Sequence, residues 1–435
     1  MTPSVPPASP ASEAAVPAPG AGASFAIVTT LFFTWGFITS VIDPLIPSVR
    51  AIFHLSYAES MLTQFAFFMA YGLVSLPAAG IVARLGPARA IILALSVMLA
   101  GCLLMPAATF VDAYSIVLAA LFVIAGGITL LQVAANPLAA SLGRPERSHF
   151  RLTLSQAFNS LGTVAGPYFG AMVMLSGGVF AASQGAATAA QRVRSLRQID
   201  TSFVIVAVLI AALTGFIFLV RRRLATPAAA PGAAQGGVFS ALRSAEALFG
   251  AGAIFLYVGA EVSVGSMMIN FLHQGDVLGV SLAEGGKLLA LYWLGAMVGR
   301  FGGSLLLTRV KAAWLLAGVA AAAAGLCLTV SQAGGPLAAA LALSIGLFNA
   351  IMFPTIFTLT LARSSASEAA TSGLLCMAIV GGAVLPVGVG LLADALGLHT
   401  AFLVPMAAYG LIALFALRAA RSEAAPAEAA LAAGR

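Results

Sequence analysis

Charge is what this chain has least of. Asp, Glu, Lys and Arg together make up 8% of its 435 residues, against roughly 25% in an ordinary soluble domain. A surface that poor in charge would not stay in water, which excludes a soluble multidomain enzyme even though the length would allow one. Cysteine is scarce as well. Cys102, Cys327 and Cys376 are the three present, each inside an apolar run, so there is no disulfide framework and the thiols read as small buried hydrophobes. The four histidines, His54, His149, His273 and His399, lie in or near loops and form no metal cluster. There is no nucleophile elbow, no phosphate-cradling glycine loop and no pair of carboxylates in a hydrolase arrangement. No enzyme activity, metal or cofactor is therefore expected. The net charge of +7 comes without a dense basic patch interleaved with aromatics, so a nucleic-acid partner is not expected either.

Hydrophobic residues fill the gap, at 61% of the chain. Runs such as 91–108, 116–131 and 203–220 approach or meet the roughly 20 residues that span a bilayer core. Inside lipid every backbone polar group must be paired within its own segment, so these runs are helices. The 45 glycines and 21 prolines do not oppose this, since both are common in membrane spans. Apolar periodicity with Gly, Pro and charge punctuation places twelve spans near 25–47, 60–83, 88–110, 115–141, 150–176, 202–222, 245–272, 284–308, 312–331, 335–362, 369–394 and 399–419. The fold class expected is an all-α membrane protein of two six-helix halves. A disordered N-terminal tail covers 1–24, the first bundle 25–222, a cytoplasmic linker 223–244, the second bundle 245–419 and a C-terminal tail 420–435. The linker joins Arg221, Arg222 and Arg223 to an Ala/Pro/Gly run, which suits a flexible connection. The longest stretches expected to be non-helical are 177–201 and 223–244.

Basic residues set the orientation. With both termini in the cytoplasm, 15 of the 21 Lys and Arg residues fall on inner joints and the C-terminal tail, which is the bias the positive-inside rule requires. Weak internal repetition supports two related halves. Span 4 carries Asn136-Pro137, and span 10 carries Asn349 with Pro354. Span 5 carries Gly162 and Gly166-Pro167, and span 11 carries Gly381, Gly382 and Pro386. Parallel repeats with a site between them at mid-membrane describe a secondary transporter.

Asparagine occurs four times, as Asn136, Asn159, Asn270 and Asn349, and always within a span. In soluble proteins Asn favours turns. In a bilayer a neutral amide needs a partner in the bundle or in a watered cavity. Gln132 and Asn136 are four apart and Gln156 and Asn159 three apart, so each pair shares one helix face; Gln64 adds another amide. Amides both donate to and accept from hydroxyls. Sugars are rings of hydroxyls with apolar faces, so amides with aromatic platforms suit them. Trp35, Phe158, Tyr168, Tyr257, Tyr292 and Trp293 are candidate platforms. The plainer alternative is that single amides only tie helices together, at well under 2 kcal/mol per bond.

Ionisable residues deep in the spans are Asp43, Glu261 and Arg300. An intramembrane carboxylate is costly and functional by default, and Asp43 and Glu261 are candidates to carry a coupled cation. Arg300 lies within snorkelling reach of the cytoplasmic end and is also a possible static partner for Glu261. Glu261 and Asn270 are nine apart, so an unbroken helix cannot aim both at one cavity, and a bend at Gly265 is what would let both reach it. The segment GTVAGPYFG at 162–170 is similar to the fifth-helix motif of proton-coupled drug exporters, although small residues at four-residue spacing also pack helices closely.

Longer stretches carry a wider resemblance. FFTWGFITSVIDPLIP at 32–47, LLQVAANPLAASLG at 130–143, LSQAFNSLGTVAGPYFGA at 154–171, YVGAEVSVGSMMINFL at 257–272, YWLGAMVGRFGGSLLL at 292–307, GLFNAIMFPTIFTLTL at 346–361 and SGLLCMAIVGGAVLP at 372–386 resemble the fucose:proton symporter family of the major facilitator superfamily. Fucose-type members have an acid where this chain has Gln132, and another near Ser40; the Gln132 pattern resembles the glucose/galactose permease branch. The resemblance implies a substrate site drawn from Gln132, Asn136, Gln156, Asn159, Glu261, Asn270 and Asn349; Trp35 and Trp293, from the aromatic candidates, are the platforms expected beside it. It also implies a monomeric hexose importer of a bacterial-type inner membrane, coupled to a proton or to sodium and working by alternating access. A drug or metabolite exporter and a non-transporting sugar sensor are the competing expectations.

Overall fold

The computed structural model describes residues 21–55, 57–174, 189–224, 238–280 and 282–433. Among them the secondary structure is helical throughout. The helices are α1 (Ala21–Phe53), α2 (Tyr57–Leu85), α3 (Pro87–Val111), α4 (Tyr114–Ser141), α5 (Ser148–Met174), α6 (Ala189–Val220), α7 (Ala245–His273), α8 (Leu282–Leu306), α9 (Ala312–Val330), α10 (Gly335–Asn349), α11 (Met352–Arg363), α12 (Glu368–Met377), α13 (Gly381–Leu396), α14 (Leu398–Ala401) and α15 (Leu403–Ala433). Eleven segments among the described residues are long and apolar enough to cross a membrane. α5 is long enough at 27 residues, but it carries Arg151, Gln156 and Asn159, which dilute its apolarity.

Local chemistry sets the ends. α3 starts on Pro87, whose missing N–H would be unpaired at that position anyway, after Gly86 at φ 75. Ser244 caps α7 by accepting from the Ala247 N–H at 3.3 Å, and Ser367 caps α12 by accepting from Ala370 at 3.3 Å. Arg151 is buried and donates to the carbonyls of Ala139, Ala140 and Arg144, the orphan acceptors at the end of α4 and the loop after it.

The tenth and eleventh expected spans are each interrupted. Pro354 has no N–H for the carbonyl four residues earlier, and there the chain turns from α10 to α11 at Ala350 and Ile351. A short 3-10 turn, Ala378–Val380, separates α12 from α13. The expected non-helical segment 177–201 is shorter than expected, because α6 already starts at Ala189. That extension is polar, and its Arg192 pairs with Asp112 at 2.6 Å and donates to the Ile52 carbonyl. It therefore lacks the apolar signal of a span. At the other end α15 runs to Ala433, past the expected limit at 419, as an alanine-rich stretch favours. The N-terminal tail through residue 20, the linker core 225–237 and residues 175–188 lie outside the described residues.

Packing repeats along the chain. α1 lies against α5, and α13 lies against α7. In both pairs a glycine permits backbone contact. A Cβ on Gly162 would sit 2.2 Å from the Phe33 carbonyl oxygen, and one on Gly381 would sit 2.2 Å from that of Phe255. α1 to α6 meet the later helices chiefly where α2 and α4 touch α12 and where α5 touches α8 and α11.

Candidate functional site

A cavity of about 190 Å³ lies between the two sets of helices. Its wall takes Trp35, Gly36 and Thr39 from α1, Tyr71 from α2, Gln132 from α4, and Gln156, Asn159 and Thr163 from α5. The later helices add Tyr257, Val258 and Glu261 from α7, Arg300 from α8 and Phe353 from α11, with Ile379 from the 3-10 turn. Drug-sized ligands occupy pockets of roughly 300–1,000 Å³, so this one suits a smaller molecule.

One wall is neutral and polar. The Gln132 amide donates to the Tyr71 hydroxyl at 2.8 Å, which leaves the tyrosine its own proton to give. Asn159 donates to the Phe32 carbonyl at 3.0 Å, anchoring α5 to α1 while the side chain lines the cavity. Trp35 is 4% exposed and held against Phe32, with ring centroids 4.0 Å apart. The tryptophan is thus a fixed apolar plate beside three amides.

The facing wall holds an ion pair. Glu261 accepts from the Tyr257 hydroxyl one turn earlier, at 2.7 Å, and faces Arg300 at 3.8 Å. Both charged side chains are largely buried, at 13% and 14% exposure, so neither can be relieved fully by water. Tyr292 donates to the main-chain carbonyl of Glu261 at 3.1 Å and accepts from the Asn349 amide at 2.7 Å. Arg300 also donates to Ala350, at 3.3 Å. That carbonyl is the one Pro354 leaves without a helical donor. The break between α10 and α11 thereby supplies an acceptor to the site.

The residues expected from the sequence divide into two groups. Trp35, Gln132, Gln156, Asn159 and Glu261 meet in the cavity. Asn136 does not line it: its side chain is buried beside Cys376 of α12. Asn349 is likewise buried, behind Tyr292. Asn270 is exposed on the last turn of α7, because α7 continues without a break and carries it away from Glu261. Trp293 points outward at 43% exposure, beside the inward-facing Tyr292. Among the other expected platforms Tyr257 lines the cavity, whereas Phe158 and Tyr168 are exposed and Tyr292 is buried behind it. The side chain of Asp43 lies outside the described residues. Tyr71, Thr39, Thr163 and Phe353 join the wall without having been singled out. For Tyr71 a signal was present: it shares α2 with Gln64 and sits seven residues, about two turns, further along the helix.

The Major Facilitator Superfamily model matches residues 26–375. The chain is 43% identical over 402 residues to the glucose/galactose transporter of Brucella abortus biovar 1 (strain 9-941), covering 92% of this chain and 95% of that protein. It is 29% identical over 404 residues to the L-fucose-proton symporter of Escherichia coli (strain K12), covering 90% and 92%. Its fold superimposes with a TM-score of 0.80 on a crystal structure of the major facilitator transporter FucP in the outward conformation, at 27% identity, covering 91% of this chain and 98% of that one.

Proposed function

The chain belongs to the major facilitator superfamily, as a multi-pass membrane sugar transporter, and from that premise we propose that it imports a hexose of the glucose/galactose type together with a cation, by alternating access. The cation we propose is a proton, the membrane is the inner membrane of a bacterium, and the working unit is a single chain of twelve spans with both termini in the cytoplasm.

The observation that carries this reading is the convergence of Gln132, Gln156, Asn159 and Tyr71 with the Trp35 plate on one small cavity. Each amide offers both a donor and an acceptor, and a hexose presents both around its rim. A flat indole covers the apolar face of the ring. Neutral amides here, in place of an acid at Gln132, favour recognition of the sugar that does not depend on the charge of that side chain. Glu261 is the carboxyl we assign to coupling. It sits in the wall opposite the amides, so one cavity serves both sugar and proton, with Asp43 as the second candidate.

The test is uptake of labelled glucose and galactose into vesicles, with unlabelled glucose, galactose, mannose and fucose as competitors. Saturable uptake driven by an inward proton gradient, competed best by glucose or galactose, is expected. A response to a sodium gradient alone would replace the cation, and no saturable uptake of any hexose under either gradient would remove the proposal.

A further inference from the structure

Among the described residues, three hydrogen bonds that join α1–α6 to the later helices lie toward one end of these helices. His149, in the first turn of α5, meets Thr358, near the end of α11. Ser372, early in α12, donates to the Val133 carbonyl of α4 at 2.9 Å. Arg300 donates to the Ser160 hydroxyl of α5. Arg144 and Arg147 before α5 and Arg363 at the end of α11 lie close by in the chain, so this is the basic end of these helices, the cytoplasmic one in the topology proposed above. The Val133 bond has a local cause. Pro137 stands four residues later and cannot supply the helical N–H, so the carbonyl is free to accept from the opposing helix.

Arg300 is the member of this set that also touches the cavity. Its guanidinium reaches in three directions: to Glu261 on α7, to the Ala350 carbonyl, and across to Ser160 on α5. Ser160 can serve it because the same hydroxyl gives its proton to the Gln156 carbonyl at 3.2 Å and so turns its oxygen toward the cation. Two of the three acceptors are neutral. The carboxylate is the one group in this set that offsets the buried positive charge, and an unpaired buried charge is strongly unfavourable.

We propose that Arg300 is a charge-operated latch between the halves, closed while Glu261 is ionised and released when Glu261 takes up a proton. This rests on the sugar-symport reading above and deepens it by naming the positioning residue through which the proton acts. A proton from the outer water binds the Glu261 carboxylate and makes it a neutral carboxyl. The guanidinium then has neutral partners only. It lies two turns from the end of α8, so its charged head can swing to the inner water along its apolar stem. The bond to Ser160 breaks, the basic end loosens, and Glu261 gives the proton up once that end has opened. Among the described residues, the titratable groups in contact with Glu261 are Arg300 and Tyr292 from α8 and Tyr257 from its own helix, and Tyr409 of α15 interacts with it electrostatically from further away. α5 presents the neutral Gln156 and Ser160.

The native thiols report the latch. Cys376 is buried on α12 beside Asn136 of α4, at the seam between the halves. Cys102 on α3 and Cys327 on α9 are buried inside their own bundles. Labelling with N-ethylmaleimide is followed peptide by peptide by mass spectrometry, on the full chain in proteoliposomes at one pH. Ser160→Ala leaves the Glu261–Arg300 pair in place and removes only the bond across the halves. It is expected to raise the Cys376 rate about tenfold, the change that about 1.4 kcal/mol makes in a two-state equilibrium and close to the worth of one hydrogen bond to a charged group. Cys102 and Cys327 stay at the wild-type rate. Ser160→Thr, which keeps the hydroxyl, restores protection. Glu261→Gln raises the Cys376 rate likewise, and adding Ser160→Ala to it raises the rate little further, since both act on one bond. Wild-type rates at Cys376 in both Ser160→Ala and Glu261→Gln overturn the latch. So does a parallel rise at all three thiols, which reports a loosened fold. Hexose uptake is measured on the same vesicles. Its absence in the wild type, with the labelling pattern as described, overturns the sugar reading and leaves the latch standing.

Discussion

Gln132 hands its amide hydrogen to the Tyr71 hydroxyl across 2.8 Å, from the fourth helix to the second. Asn349 does the same toward Tyr292 at 2.7 Å, from the tenth helical segment to the eighth. The amide–phenol bond thus recurs at equivalent places in the two halves. In the first it borders the cavity, and in the second it is sealed behind the Glu261 wall. One copy is free to meet a guest and the other holds a charged wall in shape.

The cavity-lining copy is expected to contribute directly to affinity. Tyr71→Phe removes a hydroxyl that has a proton to donate and leaves the Gln132 amide without its acceptor. Hexose binding should weaken roughly 10- to 100-fold, the effect of losing one or two hydrogen bonds in a dry site. Equilibrium competition binding on purified protein checks this. Tyr292→Phe should instead lower the melting temperature more than it changes affinity.

Fluorescence separates the platforms. Trp35 is 4% exposed in the cavity wall, whereas Trp293 and Trp314 are 43% and 54% exposed on the outside. Hexose addition should shift or quench emission from Trp35 alone. Trp35→Phe is expected to abolish the response and Trp293→Phe to preserve it. The reverse result would move the sugar out of this cavity.

Coupling is expected to separate from binding at Glu261. In Glu261→Gln the amide keeps the size of the side chain but cannot load and unload a proton. The variant should bind hexose and exchange labelled for unlabelled sugar across the membrane, yet fail to concentrate it under a proton gradient. Counterflow and gradient-driven uptake in the same vesicles check this. Undiminished accumulation would transfer the role to Asp43.

The glycine contact between α1 and α5 makes a stability prediction. A methyl on Gly162 would meet the Phe33 carbonyl oxygen at 2.2 Å and the Phe37 nitrogen at 2.7 Å, whereas one on Gly215 of α6 meets nothing within 4 Å. Gly162→Ala should cost about 1–3 kcal/mol through overpacking. Gly215→Ala should be neutral or stabilising by up to about 1 kcal/mol, since alanine restricts the unfolded chain and suits a helix. Thermal unfolding in one detergent compares them.

The spans were legible because apolar runs leave few choices in lipid, and the cavity-lining amides were legible because each is costly where it stands. Composition could not separate Asn349 and Asn136 from Gln132. All are amides in spans, and which one reaches a cavity depends on helix rotation and on the partner opposite. Phase did carry information on α7. The nine-residue spacing places Asn270 away from Glu261 on an unbroken helix, and it is exposed. Arg300 was the hardest to place. Its distance from the helix end fits a snorkelling residue equally well, and the acceptors that hold it come from Ser160 and Ala350, 140 and 50 positions away in the chain. The glycine motif of α5, by contrast, is accounted for by packing: Gly162 and Gly166 both rest on the backbone of α1.

That last contact bears on motion. With Gly36, Gly162 and Gly166 letting two main chains touch, and with the Asn159 side chain tied to the Phe32 carbonyl, α1 and α5 have no bulky side chain between them at those points to slide or re-pack. Trp35 and Thr39 on one helix and Gln156 and Asn159 on the other must then travel as a single paddle, keeping their spacing whichever way the protein faces. A sugar held by that paddle would be carried through the cycle in an unaltered grip, and release would have to come from the other wall drawing back.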